Sequence, residues 1–209
     1  HRWIDGSIAG EFSDTPFGLA FLQPYPSNGV GQTFDELVSI LRSGPPSEKV
    51  KAVVLLINSR DPRAIPHLKA ALHDDAPAVR QAAEAGIWTM WHQSGNAEWD
   101  GLLHEGIALM QRPELEEAVK KFTELIESAP QFAEGYNKRA TVLYLLKEFD
   151  KSIRDCEATL RLNPDHFGAL SGAGLCYLGL KLYRDALTYF RRAIKVNPNM
   201  DTIQQYIKE

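Results

Sequence analysis

The 209-residue sequence is short of several things, and each shortage removes a class of protein. Two cysteines are too few for a disulfide-stapled scaffold of this length. No apolar run approaches the roughly 18 residues that a membrane-spanning helix needs. The longest covers residues 52–57, and the uncharged stretch 167–180 is interrupted by Gly168, Gly172, Gly174 and Gly179. Neither sign of charge dominates: 23 Lys and Arg stand against 27 Asp and Glu, for a net charge of −4. The two halves are alike in balance, with 8 basic and 11 acidic residues in 1–98 and 15 and 16 in 99–209. That argues against a nucleic-acid partner, which demands a basic surface with stacking aromatics.

The residue types of catalysis are also sparse in pattern. There is no glycine-rich phosphate loop and no nucleophile beside a base. His1, His67, His73, His92, His104 and His166 show no metal-ligand spacing, and His67 and His73, six apart, fall on different helix faces. Cys156 and Cys176 read as small core residues. Glu114, Glu116 and Glu117 open a helix and find Lys120 and Lys121 one turn on, which is a solvated face rather than an acid–base pair. We therefore expect no catalytic residue, no cofactor and no metal, and no enzymatic activity. The first residue is His rather than Met, which reads as a fragment or a processed product, and the composition leaves the compartment open, from cytosol to an organelle interior.

What is present is a 44% apolar composition, enough for a core, and a repeat. Pro130, Pro164 and Pro198 lie 34 residues apart. Aligned on them, units 99–132, 133–166 and 167–200 share a small residue at the eighth position (Gly106, Ala140, Gly174) and at the twentieth (Ala118, Ser152, Ala186). Large residues recur at the fourth (Leu102, Tyr136, Leu170) and eleventh (Leu109, Leu143, Tyr177), and the twenty-fourth holds Phe122, Cys156 and Phe190. Small positions let two helices approach and the larger ones fill the space between them. Each proline then stops the second helix, because it has no N–H to donate and disfavours helix in the residue before it. Arg139 and Asp155, at positions 7 and 23 of one unit, are expected to pair across it.

Residues 33–95 carry a looser pattern. Thr33 with Glu36 forms a capping box opening a helix over 34–42, Ser47 is placed to cap a helix over 48–58, and further helices are expected over 64–73 and from Pro77 to about Trp91. Residues 94–96 suit a turn between stacked helices rather than a tether. Residues 1–32 are rich in glycine, proline and aromatics and read as extended chain. Ile203, Tyr206 and Ile207 form one apolar stripe, the start of a capping helix.

The 34-residue period with its small and large columns resembles the tetratricopeptide repeat family, over 99–200, about half of the chain. Two details depart from it: Ser152 at position 20, and Pro113 at a glycine-like turn. The motifs at 61–66 and 76–80 are similar to short HEAT-like repeats. The fold these resemblances imply is all-α: a right-handed α-solenoid of HEAT-like pairs (33–95) followed by the tetratricopeptide units (97–209). The function they imply is protein–protein scaffolding. In that family the concave groove takes the partner, and its positions here would be led by Leu103, Ile107, Met110, Asn137, Thr141, Tyr144, Leu175 and Leu178. Such an apolar groove suits an apolar peptide or an amphipathic helix, or else is covered by residues 1–32 or the preceding helices of the chain itself. One branch of the family clamps a C-terminal carboxylate; the corresponding positions here hold Leu103, Ile107, Lys138, Gly168 and Gly172, with a single cation, which argues against chaperone tails. The other reading is a regulatory or assembly subunit of an enzyme complex whose catalytic part lies outside this chain.

Overall fold

In the computed structural model, residues 31–112 and 114–209 are described, and they form eleven α-helices with no strand among them. Pro113, and the N-terminal glycine-, proline- and aromatic-rich segment except for its last two residues, lie outside the described residues. So does the question of whether that segment covers a groove. No helix among the described residues is long and apolar enough to cross a membrane. The chain divides into two compact units between Met90 and Trp91.

The first unit contains α1 (Phe34–Ser43), α2 (Pro46–Asn58), α3 (Ala64–Ala71) and α4 (Pro77–Trp91), the last ending at the division. The capping box at the start of α1 is complete: the Glu36 N–H donates to Thr33 Oγ1 and the Thr33 N–H to Glu36 Oε2. Ser47 does not cap α2. That helix begins one residue earlier, at Pro46, whose missing N–H costs nothing at a position that has no intrahelical acceptor. The helices bury Leu37, Leu41, Val53, Leu56, Leu68, Leu72, Val79 and Ile87. Lys49 Nζ ties α2 to the turn before α4 through Asp74, at 2.6 Å.

The second unit is a solenoid of helix pairs: α5 (Ala97–Met110) with α6 (Leu115–Ser128), α7 (Ala133–Leu145) with α8 (Phe149–Leu162), and α9 (Phe167–Gly179) with α10 (Tyr183–Val196), ended by α11 (Asp201–Lys208). In each pair the first helix is called A and the second B. The turn into α5 is tight. Gly95 takes φ +82°, where a side chain is strained, Asn96 caps the helix through its Oδ1, and Ser94 Oγ donates to Asp100 at 2.6 Å. At the other end, Tyr206 of α11 stacks on Phe190 with ring centroids 5.6 Å apart, and Ile203 is buried.

The repeat columns explain the pairing. A Cβ added at Gly106 would lie 2.4 Å from Phe122, and one at Gly174 would lie 2.5 Å from Phe190. In the middle unit, Ala140 and Cys156 share one buried cluster with Ala169 and Ala173. There Ser152 Oγ donates to the Ala140 carbonyl at 2.7 Å, so the hydroxyl at position 20 bonds across the pair instead of costing an unpaired polar group. Both cysteines are reduced and buried, and burial pushes the Cys176 thiol up to about 11.

The A-to-B turns of the last two units close identically. Lys147 and Lys181 take φ 62° and 63°, and the following N–H groups of Glu148 and Leu182 reach back to Leu143 and Tyr177 at 2.8 and 2.9 Å. A left-handed conformation is unfavourable for a residue with a Cβ. We predict that Lys147→Gly raises the unfolding free energy by about 0.5–1 kcal/mol, read from the urea midpoint. The interlock predicts the opposite sign at Gly174. There the ring of Phe190 is buried and cannot swing away, so Gly174→Ala lowers stability by about 1–3 kcal/mol.

Candidate functional site

The A helices α5, α7 and α9 carry the residues read from sequence as groove positions, and the structure places them at two depths. Leu103 is wholly buried, in a cluster with Ala118, Phe122, Leu125, Ala129 and Val142. Leu175 is buried as well. Ile107 and Met110 are half-buried and pack against the Leu103 cluster. Tyr144 and Leu178 are also half-buried, the Tyr144 ring lying 5.7 Å from that of Phe149. Asn137 and Thr141 are about 95% buried and already bonded inside the protein: Asn137 Nδ2 donates to Glu134 Oε2 at 3.0 Å, and Thr141 Oγ1 donates to the Asn137 carbonyl. Further along, Leu145, Leu182 and Tyr183 are the large apolar side chains of this unit most open to solvent.

The most organised polar cluster in this unit was not foreseen as a site. Glu134, in the first turn of α7, is fully buried, and so is His166, the residue before α9. His166 Nε2 and Glu134 Oε1 are 2.6 Å apart. The other ring nitrogen, Nδ1, accepts the Ala169 N–H at 3.0 Å and so caps α9. An accepting Nδ1 carries a lone pair, which puts the ring proton on Nε2, directed at the carboxylate. Trp91 stacks on the His166 ring, 4.2 Å between centroids and 20° between planes, and lies 5.0 Å from Phe167. His92 Nε2 stands 3.5 Å from Glu134 Oε2. A buried carboxylate is thus flanked by His166, His92 and Asn137, with the Trp91 indole laid over the His166 ring. Burial pushes the Glu134 carboxyl up, but the electrostatic attraction and hydrogen bonding of His166 and His92, whose ring N–H dipoles face it, outweigh this and hold it well below the usual carboxylate range. One signal for this was in the repeat: position 34 of one unit abuts the A helix of the next, which lies beside position 2 of the unit before.

The expected Arg139–Asp155 pair is present and bidentate, at 2.7 and 2.9 Å. Arg139 also donates to Thr123 Oγ1 at 3.0 Å, so the same guanidinium ties α7 to both α8 and α6. Its role is structural: it holds two repeats in register.

Stacked helix pairs with a 34-residue period and a small-to-large interlock define a helical-repeat domain of the kind used to display a binding face. Residues 137–201 match the family description "Tetratricopeptide repeat". A TPR repeat-containing protein of Rhizobium etli is 28% identical over 117 residues, which are 56% of this chain and 57% of that protein. Hsp70-Hsp90 organizing protein 1 of Glycine max is 26% identical over 114 residues, 53% of this chain and 20% of its own length. The chain therefore spans little more than half of one curated relative and a fifth of the other. Among solved structures, the TPR2B domain of yeast Sti1, in a complex with pHsp70, superposes with a TM-score of 0.51 at 27% identity, covering 54% of this chain and 95% of that domain.

Because the Glu134 carboxyl is held low, it contributes stability that is fully present above the ordinary value of about 4.5 and is lost as pH falls toward the folded value. We predict that the urea midpoint of the protein falls as pH is lowered below about 4.5 and that Glu134→Gln makes this fall shallower. An equal slope in the two proteins would mean that the carboxylate is not ionised in the native state.

Proposed function

We propose that this protein is an interaction adaptor whose tetratricopeptide domain takes an apolar peptide, or the apolar face of an amphipathic helix, along α5, α7 and α9. The observation that carries this reading is the row of half-buried apolar side chains, Ile107, Met110, Tyr144 and Leu178, on three successive A helices. In this proposal Leu103 and Leu175 support the row from beneath, and Asn137 and Thr141, buried and bonded within the protein, brace the helix that carries Tyr144. The names of the soybean organizing protein and of the yeast Sti1 complex record chaperone partners, which supports peptide recognition as the general task. The grip proposed here differs from a carboxylate clamp. Of Leu103, Ile107, Lys138, Gly168 and Gly172 only Lys138 is a cation, and it is 4% exposed. The same reading takes the four helices of the first unit as HEAT-like pairs, and assigns the chain no catalytic step.

Two measurements test it. A fluorescent peptide ending in a free Glu-Glu-Val-Asp carboxylate should show no saturable binding; tight binding would establish a clamp and overturn the proposed grip. The triple variant Met110→Ser, Tyr144→Ser, Leu178→Ser should lose the proteins captured by the parent from extract while keeping a cooperative melt. Full burial of a large apolar side chain is worth roughly 1.5–3 kcal/mol, and these three are only half-buried. An unchanged set of captured proteins would remove the row as the binding face.

A further inference from the structure

The balanced charge of the chain conceals a gradient along the repeats. Unit 99–132 carries 7 acidic and 3 basic residues, unit 133–166 carries 6 of each, and unit 167–200 carries 1 acidic and 5 basic. The net charges are therefore −4, 0 and +4. The gradient is written into the outer faces of the B helices, column by column. At repeat position 18 the residues are Glu116, Asp150 and Arg184; at position 26, Glu124, Ala158 and Arg192; at position 29, Glu127, Arg161 and Lys195. The three residues on α6 and the three on α10 are all exposed.

The two ends also differ in how far their charge is neutralised within the protein. On α6, Lys120 and Lys121 form ion pairs with Glu117 and Glu124, and Lys121 reaches Glu105 as well. Among the described residues Glu116 and Glu127 form no ion pair. At the other end, Lys181, Arg184, Arg191, Arg192 and Lys195 form no ion pair among the described residues, and Arg192 lies over the Tyr189 ring, 5.3 Å from its centroid. Leu182 and Tyr183, 47% and 64% exposed, border these cations and offer apolar area beside them.

We propose that the B-helix face is a self-association surface, and that two copies of this chain dock antiparallel through it, α6 of one copy against α10 of the other and the neutral α8 helices at the centre. Three features select a second copy as the occupant. The acidic and basic stripes occupy the same repeat positions on equivalent helices, so their lengths match: positions 18 to 29 span about 16 Å of helix axis. They lie at opposite ends of one row of B helices, so a two-fold rotation brings each stripe onto its complement at the same time, which gives an isologous, closed pair. A polyanion such as nucleic acid would meet the acidic end of the same row and be repelled there, and the cationic strip is a single helix wide. The association is electrostatically steered, with like-charged ends excluding the parallel arrangement.

Sedimentation velocity on the full chain tests this. At about 100 μM protein and about 20 mM NaCl a species of twice the monomer mass is expected, and its dissociation constant should rise at least about tenfold by about 500 mM NaCl, as screening shortens the reach of the charges. The variants Arg184→Glu/Arg192→Glu/Lys195→Glu and Glu116→Lys/Glu124→Lys/Glu127→Lys should each sediment as monomers, with the circular dichroism and melting temperature of the parent, because all six positions are on the surface. Mixed in equal amounts they should form a 1:1 pair, since one now has two acidic ends and the other two basic ends. The parent's salt series carries the test even if a variant fails to fold. A monomer at low salt, a dimer indifferent to salt, no pairing of the two folded variants, assemblies growing beyond two copies, or a monomer that is retained on heparin would each overturn the proposal.

Discussion

Everything in the repeat domain depends on how closely the two helices of a pair can approach. At Gly106 and Gly174 there is no room for even one more carbon, because the ring at position 24 occupies the place a Cβ would take. The phenylalanine is therefore both the filling of the pair and the gauge of its spacing. The middle pair reaches the same approach by another combination, alanine against cysteine with a serine hydroxyl bonded across. It follows that the columns are coupled in volume and not individually fixed: a methyl group gained on the A helix is offset by the smaller residue on the B helix. Once each pair has its thickness, the stacking of pairs and the placement of the A-helix surfaces follow from it.

Much of this was legible along the chain because it is periodic. Three prolines at equal spacing, two small columns and a recurring aromatic fix helix, turn and contact at once, and Arg139 with Asp155 could be paired from their positions alone. The Ser47 cap was misread because a proline one residue upstream starts a helix just as well, without any side-chain bond. Leu103 and Leu175 fall in the repeat columns expected to line the groove, but sequence position says which face a residue belongs to and not how deep it sits; the second is set by neighbours on other helices. The buried carboxylate cluster was the least legible of all. The adjacent Trp91 and His92, Glu134 and His166 come from three distant places in the chain and are unremarkable one by one, and their common location depends on the stacking of whole repeats.

That cluster also shows how a solenoid can seal its own A-helix ends. Polar side chains at the start of α7 and α9 would ordinarily be left to solvent. Here the histidine that precedes α9 serves two helices, capping one with Nδ1 and directing its other nitrogen at the carboxylate of the other. The indole of Trp91 over the ring excludes water and strengthens both bonds. The adaptor reading and the self-association reading use different sides of the domain, A helices for the partner and B helices for the second copy, so a dimer would present two peptide-binding rows at once.

The two buried thiols give the domain an internal clock. A thiol held in the neutral form reacts slowly with alkylating reagents, because the thiolate is the nucleophile. Cys156 lies on α8 and Cys176 on α9, and Cys176 donates to the Ser152 hydroxyl of α8 at 3.1 Å. Reagent reaches them only when the packing between neighbouring repeats comes apart. The rate at which the native protein takes up label is then the rate, or the equilibrium, of opening at that seam, reported by the chain without any introduced probe and separable from fraying at either end.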